Sequence, residues 1–600
     1  MDEAQLRTWV EAVRAGTLPR RGFIARLAAL GVSAPLAGLM LIDAGIAQTA
    51  GTAPAYKPTQ RGGGGTLRML WWQGPTLLNP HFATADKDQD GSRLFYEPLA
   101  AWDAQGNLLP VLAAEIPSRA NGSVAADGRS VVWKLKPGVR WHDGQPFTAD
   151  DVVFNADYAR NPDTAAVTRG AFADLKVEKV DTYTVRIVFD RPAPFWPGVY
   201  SRITLLPKHL FAPYTGSRSR DAPGNLRPVG TGPYRFVEFK PGDLVRGELN
   251  PAYHMPARPH FDKVELKGGG DAVSAARAVL QTGEYDFGWN LLVEDEILKR
   301  LESGAKGGQG GRVHFAAGGA TEYIQLNHAD PGSELDGERS HPKSRHPVLS
   351  DPAVREALAL LVDRKGVQDF IYGRAGVATA NIVDQPPRYR SPNQRAEFSV
   401  DKANAVLDAA GWKRGADGVR EKGGRKLSFL FQTSTNAPRQ KTQAIVKQAA
   451  AKAGIAIELK AIVPAVYFSS DTANPDTNAR FLADLQMYTY AMEQPDPTRF
   501  MEQFVSWEAA AKANKWQGLN IGRWQNDEFD AAFRAAQGEL DPVKRAALFI
   551  RMNDLVCQDR YAIPLISRLN VTGTNGGLQA PQSGWEIATG LLHDWYRAAA

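Results

Sequence analysis

Val131, Trp133 and Leu135 alternate with Ser130 and Lys134, the two-residue period of a half-buried strand. Residues 177–189 alternate in the same way and predict another, ended by Arg191-Pro192-Ala193-Pro194. Residues 66–72 (TLRMLWW) read as a first strand behind residues 50–65, whose Gly, Pro, Thr and Gln content predicts a flexible leader. Pro137-Gly138 and Asp143-Gly144 mark turns on either side of residues 139–141. Thr148, with Asp151 three residues on, predicts a capped helix start. Residues 90–225 thus read as one α+β piece. Residues 229–249 hold two strand-like runs behind Gly230-Thr231-Gly232-Pro233-Tyr234. Residues 272–282 predict a helix stopped by Gly283. A short buried strand at 285–290, a helix to Gly304 and a loop at 307–311 follow.

From Tyr323 the pattern alternates between helix and strand. Pro352 suits a first helical position, and Val354, Leu358, Leu361 and Val362 fall on one face. Ser399 starts a further helix and Gly411 stops it. Residues 427–431 predict a strand, 439–453 a helix capped by Gly454, and 455–462 a strand. Residues 485–490 predict another strand, Asp541-Pro542 opens a helix of about fifteen residues, and 561–566 is an apolar strand. Such alternation predicts a mostly parallel sheet covered on both faces.

At 600 residues the chain is too long for one ordinary core, and the length suggests roughly three to five units. With 43% hydrophobic and 23% charged residues, disorder is excluded as the main state. The 71 Lys and Arg against 65 Asp and Glu give a formal charge of +6, but the basic residues are scattered. A nucleic-acid binder concentrates them, so nucleic acid is not an expected partner.

The first 47 residues read as an export signal. Arg20-Arg21-Gly22-Phe23-Ile24 precedes a fifteen-residue, mostly apolar run at 27–41, short of the 18 or more residues of a membrane span. The arginine pair resembles the twin-arginine signal, with Pro19 in place of the usual Ser or Thr and Ala25 in place of the usual Lys. Both the twin-arginine and Sec routes stay open. Gly45-Ile46-Ala47 fits a cleavage site. No cysteine follows the run, so no lipobox is expected. Cys557, the one cysteine, lies in a helical pattern and reads as a buried, inert thiol.

Catalytic signatures are missing. There is no Gly-x-Ser-x-Gly, no His-Glu-x-x-His and no Gly-x4-Gly-Lys-Ser/Thr. Gly230-x-Gly232 lacks the third glycine of a dinucleotide loop. His142-Asp143 reads as part of a turn. His341 and His346 lie in a polar loop whose spacing fixes no metal geometry. No catalytic residue, metal or cofactor is expected. Aromatics at strand ends, namely Trp71, Trp72, Tyr488 and Tyr490, with Glu493 and Asp496 beyond, suit small-molecule capture, although any one of them also suits core packing.

Five motifs in order give the chain a family likeness: Phe95-Tyr96-Glu97-Pro98-Leu99; residues 135–152 (LKPGVRWHDGQPFTADDV); Gly230-Thr231-Gly232-Pro233-Tyr234; residues 354–364 (VREALALLVDR); and residues 401–412 (DKANAVLDAAGW). From about Thr66 to the C-terminus the sequence resembles the extracellular solute-binding proteins of the peptide/nickel ABC transporter family, the dipeptide- and oligopeptide-binding type of family 5. The resemblance implies an α/β, two-lobed periplasmic-binding-protein fold (type II, cluster C) with an additional α+β domain. It implies lobe I at 66–94, 225–320 and 560–600, the additional domain at 95–224 and lobe II at 321–559, behind a signal peptide at 1–47 and a leader at 48–65. The implied protein is a periplasmic monomer of Gram-negative type. It captures a peptide or similar small polar solute between its lobes and delivers it to ABC permease subunits of the inner membrane, powered by cytoplasmic ATPases. A hydrolase on the same scaffold is the alternative, since fold alone does not fix function.

The resemblance also implies site residues. In dipeptide-binding members an acid shortly before an Asp-Pro pair holds the peptide ammonium. Asp496-Pro497 matches that pair and puts Glu493 at the acid; Tyr488, Tyr490 and Trp72 are the aromatic candidates for the same site. The arginine that holds the peptide carboxylate in those members is matched by Thr433, which carries no charge and cannot replace a guanidinium fork. A dipeptide is therefore not the automatic ligand, and a longer peptide, an amide, a sugar or another cationic solute stays open.

Overall fold

The computed structural model describes residues 3–28, 40–41, 54–83, 85–304, 310–468 and 474–598. The chain divides into two compact units, residues 1–317 with 570–600, and residues 318–569. It passes from one to the other twice, each time inside a long strand, Arg312–Leu326 and Ala562–Thr574. The first of these strands was not predicted: Ala316, Ala317, Gly318, Gly319 and Ala320 supply no apolar alternation. The second runs well beyond the expected 561–566.

In the first unit Thr66–Trp71 lies parallel to both Lys263–Gly268 and Phe287–Gly288. Leu244–Leu249 and Tyr234–Lys240 extend the sheet antiparallel on one side. Thr574 and Gly573 pair antiparallel with Phe287 and Gly288 on the other. A separate antiparallel sheet of Ser130–Lys134, Thr184–Phe189 and Leu175–Asp181 sits within 95–224, with the helix Ala149–Arg160. The alternating run 177–189 is thus a hairpin rather than one strand. Asp181 turns the chain by accepting the Tyr183 N–H at 2.8 Å. Thr148 caps its helix in the expected reciprocal box, its own N–H donating to Asp151 Oδ2 at 2.9 Å.

Three of the family-like motifs meet in this unit. A Cβ on Gly230 would stand 1.8 Å from the Phe95 carbonyl oxygen, so only glycine allows the approach. The Gly232 N–H donates to that oxygen at 2.8 Å. The His142 ring accepts the Gly230 N–H at 3.1 Å. At their centre Glu97, 3% exposed, accepts from Tyr253 Oη (2.7 Å), Thr231 Oγ1 (2.9 Å) and His254 Nε2 (3.0 Å).

The segment expected as a flexible leader is tied down from Tyr56 onward. Tyr56 donates to the Ala257 carbonyl at 2.7 Å, Arg61 donates to the Arg258, Pro251, Tyr253 and Met255 carbonyls, and Asp262 accepts the Gly63 and Gly65 N–H groups. Arg20–Ala28 is helical, and Phe23 and Leu27 are buried with Leu18 and Leu41. The Gly45-x-Ala47 site lies outside the described residues.

In the second unit Ser428–Ser434 is parallel to Ala456–Ile462 and Leu485–Met492. Leu485–Met492 is antiparallel to residues 319–326, and Gly376–Ala378 is antiparallel to residues 566–568. The sheet is therefore mixed, not mostly parallel. Apolar periodicity does not distinguish the two pairings when both sheet faces are covered. Helices Pro352–Leu360, Val400–Ala409 and Ala437–Lys452 cover one face, with Leu358, Leu361, Phe431, Val446, Met487 and Ile563 in the core. Each such side chain contributes about 1.5–3 kcal/mol on full burial. Cys557 is buried, and burial pushes its thiol up to about 12, so at neutral pH it is not a nucleophile. Among the described residues no helix is long and apolar enough to cross a membrane.

Candidate ligand-binding site

Open α/β sheets bind ligands beyond the carboxyl ends of their parallel strands. In the second unit those ends are Ser434, Ile462 and Met492. Successive side chains of Leu485–Met492 point to opposite faces. Leu485 and Met487 enter the main core, whereas Tyr488 and Tyr490 join a second cluster with Ile462 and Tyr467. Tyr488 is buried, its ring 5.6 Å from Tyr323 and 6.4 Å from both Tyr467 and Phe468. Tyr490 is half-buried, with its ring edge-on to Phe500 at 5.6 Å. Burial raises its phenol pKa, Arg499 opposes this, and the negative charge of Glu493 adds to it. Glu493 follows directly after the strand and is exposed.

Asp496 is occupied otherwise. It accepts from both terminal nitrogens of Arg545 and from the Thr498 N–H (3.0 Å) and hydroxyl (2.6 Å). Burial would raise its pKa, but the Arg545 guanidinium holds it below the usual carboxylate range. Thr433 is fully buried and donates its hydroxyl to the Met487 carbonyl at 2.7 Å. The structure thus puts Tyr488, buried in mid-strand, and Tyr490 on one face and Glu493 just past the strand end, while the polar groups of Asp496 and Thr433 bond within the protein.

The opposite face of the same strand end carries a charge cluster that sequence reasoning missed. Glu322, paired in register with Thr489, has no exposed side-chain surface. Arg439, in the first turn of its helix, donates Nε to Glu322 Oε1 at 2.5 Å, Nη1 to Ser434 Oγ at 3.0 Å and Nη2 to Thr489 Oγ1 at 3.0 Å. The Thr489 hydroxyl donates to Glu322 Oε2 and accepts Arg568 Nη1 at 2.7 Å. Arg568 Nη1 is 3.5 Å from Glu322 Oε2. Burial works to raise the Glu322 pKa, and the two guanidiniums outweigh it and hold the carboxyl below its ordinary value. No local signal marks it, because Glu322, Arg439, Thr489 and Arg568 lie on four separate elements.

In the first unit Trp72 is half-buried just past the end of Thr66–Trp71. Its Nε1 donates to the Asn290 carbonyl at 3.0 Å and its ring lies 6.2 Å from Trp289. Asn290 holds a φ of +51°, which asparagine tolerates better than most residues. The two loop histidines do not converge. His346 meets Asp484 at 2.9 Å, and His341 lies 3.6 and 3.7 Å from Asp336 and Glu338. Among the described residues no group of three or more His, Cys, Asp or Glu is arranged to hold a metal ion.

Comparison with known proteins agrees with this architecture. The chain is 28% identical over 417 residues to the oligopeptide-binding protein AppA of Bacillus subtilis, covering 68% of this chain and 70% of that protein. It is 25% identical over 395 residues to the glutathione-binding protein GsiB of Pectobacterium atrosepticum, covering 64% and 67%. Among solved structures, AppA of Bacillus subtilis in complex with a nonapeptide aligns with a TM-score of 0.68 and 23% identity over 90% of this chain and 100% of that one. NikZ of Campylobacter jejuni in complex with Ni(L-His) aligns with a TM-score of 0.69 and 21% identity over 89% and 99%. Residues 107–512, more than half the chain, match the family model described as bacterial extracellular solute-binding proteins, family 5 Middle, and the chain belongs to that family.

Proposed function

We propose that the chain is the receptor of an ABC importer for a peptide or a similar amine-bearing solute, and that Glu493 holds the amine. As a member of a solute-binding family the protein binds its ligand rather than turning it over, and the hydrolase alternative has no support. The observation that carries the amine reading is an exposed carboxylate one residue beyond the end of a sheet strand, beside the half-buried ring of Tyr490. A bound ammonium would pair with the Glu493 carboxylate as the ligand covers it, and Tyr490 would add a cation–π contact. Relatives named for oligopeptide and glutathione binding support an amine-bearing ligand.

Isothermal titration tests this with a binder taken from a thermal-shift screen of short peptides. Glu493→Gln is expected to weaken a free-amine peptide by about 2 kcal/mol, roughly thirtyfold, and to leave its N-acetylated form unaffected. The low end of the range for a buried charge pair applies because Glu493 is exposed in this structure. Equal affinities of wild type and variant for the free amine would place Glu493 outside the site.

Export by the segment around Arg20 and Arg21 to the periplasm, with cleavage near Ala47, belongs to the same proposal. The intact mass of the exported protein is expected to correspond to a start at Gln48. A retained N-terminus would refute cleavage there.

A further inference from the structure

The cluster on the other face of the Tyr488–Tyr490 strand end has a charge imbalance. One carboxylate, Glu322, faces two guanidiniums. Glu322 has no exposed side-chain surface, Arg439 has 10% and Arg568 has 16%. An excess positive charge in so covered a place needs a counter-charge or water. Arg439 has little left to offer, since Nε, Nη1 and Nη2 are engaged by Glu322, Ser434 and Thr489. Thr489 is saturated too, donating once and accepting twice. Arg568 is different. Its guanidinium makes one hydrogen bond, from Nη1 to Thr489, and lies at the longer 3.5 Å from Glu322. Its Nε and Nη2 have no hydrogen-bond partner among the described residues, and it is the least covered of the three side chains.

We propose that Arg568 receives a carboxylate of the captured solute, with Glu322, Arg439 and Thr489 holding its guanidinium in place. The proposal rests on the peptide-receptor reading above and adds the ligand's negative charge to its positive one. A guanidinium with two unused N–H directions matches the two oxygens of a carboxylate better than it matches a neutral carbonyl. Fixing the fork beforehand on Thr489 lowers the entropy lost when the anion binds. The net +1 of the cluster is neutralised in the complex, which removes the imbalance seen in the structure.

The test is a competition between a random pool of peptides two to nine residues long as free acids and the same pool as C-terminal amides. Purified full-length protein captures from the mixture, and mass spectrometry reads the acid-to-amide ratio. Wild type is expected to enrich acids at least tenfold. Arg568→Gln is expected to bring the ratio to one, and Arg568→Lys, which keeps the charge but not the fork, to an intermediate value. Enrichment of Asp- and Glu-containing peptides in wild type, lost in Arg568→Gln, supports the proposal with a side-chain carboxylate as the anion. A wild-type ratio of one without that enrichment overturns it and leaves the peptide reading standing. Parallel loss of acids and amides in a folded Arg568→Gln overturns it as well, because a purely structural clamp acts on both. Capture of no peptide at all overturns both.

Discussion

Glu322→Gln is expected to destabilise the second unit by about 3–5 kcal/mol, the cost of leaving buried charge uncompensated. Glutamine keeps the shape but removes the carboxylate that, among the described residues, faces both Arg439 and Arg568. Urea unfolding measured by hydrogen exchange of residues 485–492 reads this locally, away from the first unit. The double variant Glu322→Leu with Arg439→Met is expected to recover part of the loss, since an apolar pair leaves fewer charges in the core. A loss below about 1 kcal/mol for Glu322→Gln would mean that the cluster behaves like solvated surface ion pairs.

Glu97 is expected to dominate the acid sensitivity of the first unit. Burial would raise its carboxyl, but His254 outweighs burial, helped by the Tyr253 hydroxyl, and the pKa is lowered to about 2. An acid depressed in the folded state stabilises above its unfolded value near 4.5, and that stability is lost as pH falls through about 2. A depression of this size is worth about 3 kcal/mol. Glu97→Gln is expected to cost a similar amount at pH 7, because one of the donors Tyr253, Thr231 and His254 then faces an amide N–H. Thermal melts between pH 7 and pH 2 are expected to show a shallower acid decline in the variant. Superimposable declines would place the acid-sensitive group elsewhere.

Local chemistry was legible where one short stretch contained both the signal and its cause. Thr148 with Asp151, Ser399, and Asp541 before Pro542 all cap the helices they announced, and Pro352 opens its helix as expected. Tyr488, Tyr490 and Glu493 could be grouped because one strand and its end carry all three. The strand Arg312–Leu326 was hidden by its run of small residues, and the direction of strand pairing leaves no periodic trace. The charge cluster was beyond reach for another reason. Arg439 and Glu322 are 117 positions apart and Arg568 and Thr489 are 79 apart, so only the assembled sheet makes them neighbours. The family-like motifs around Glu97 proved to be contacts among themselves, which explains why they identify a fold and say nothing of a ligand.

The chain's double passage between units has a consequence for the order of its synthesis. About 250 residues of the second unit are made between the two halves of the first, which at 5–20 residues per second takes about 13–50 s on the ribosome. Until then Asp90 lacks Thr589, Asp286 lacks Arg597, and Phe287 lacks Trp595, whose ring lies 4.5 Å away in the finished protein. The second unit is continuous in sequence and has all its residues as soon as Leu569 emerges. The first unit therefore waits, its parallel strands already made but its closing aromatic and ionic contacts missing, and during that interval it is the part of the nascent chain most exposed to misassembly.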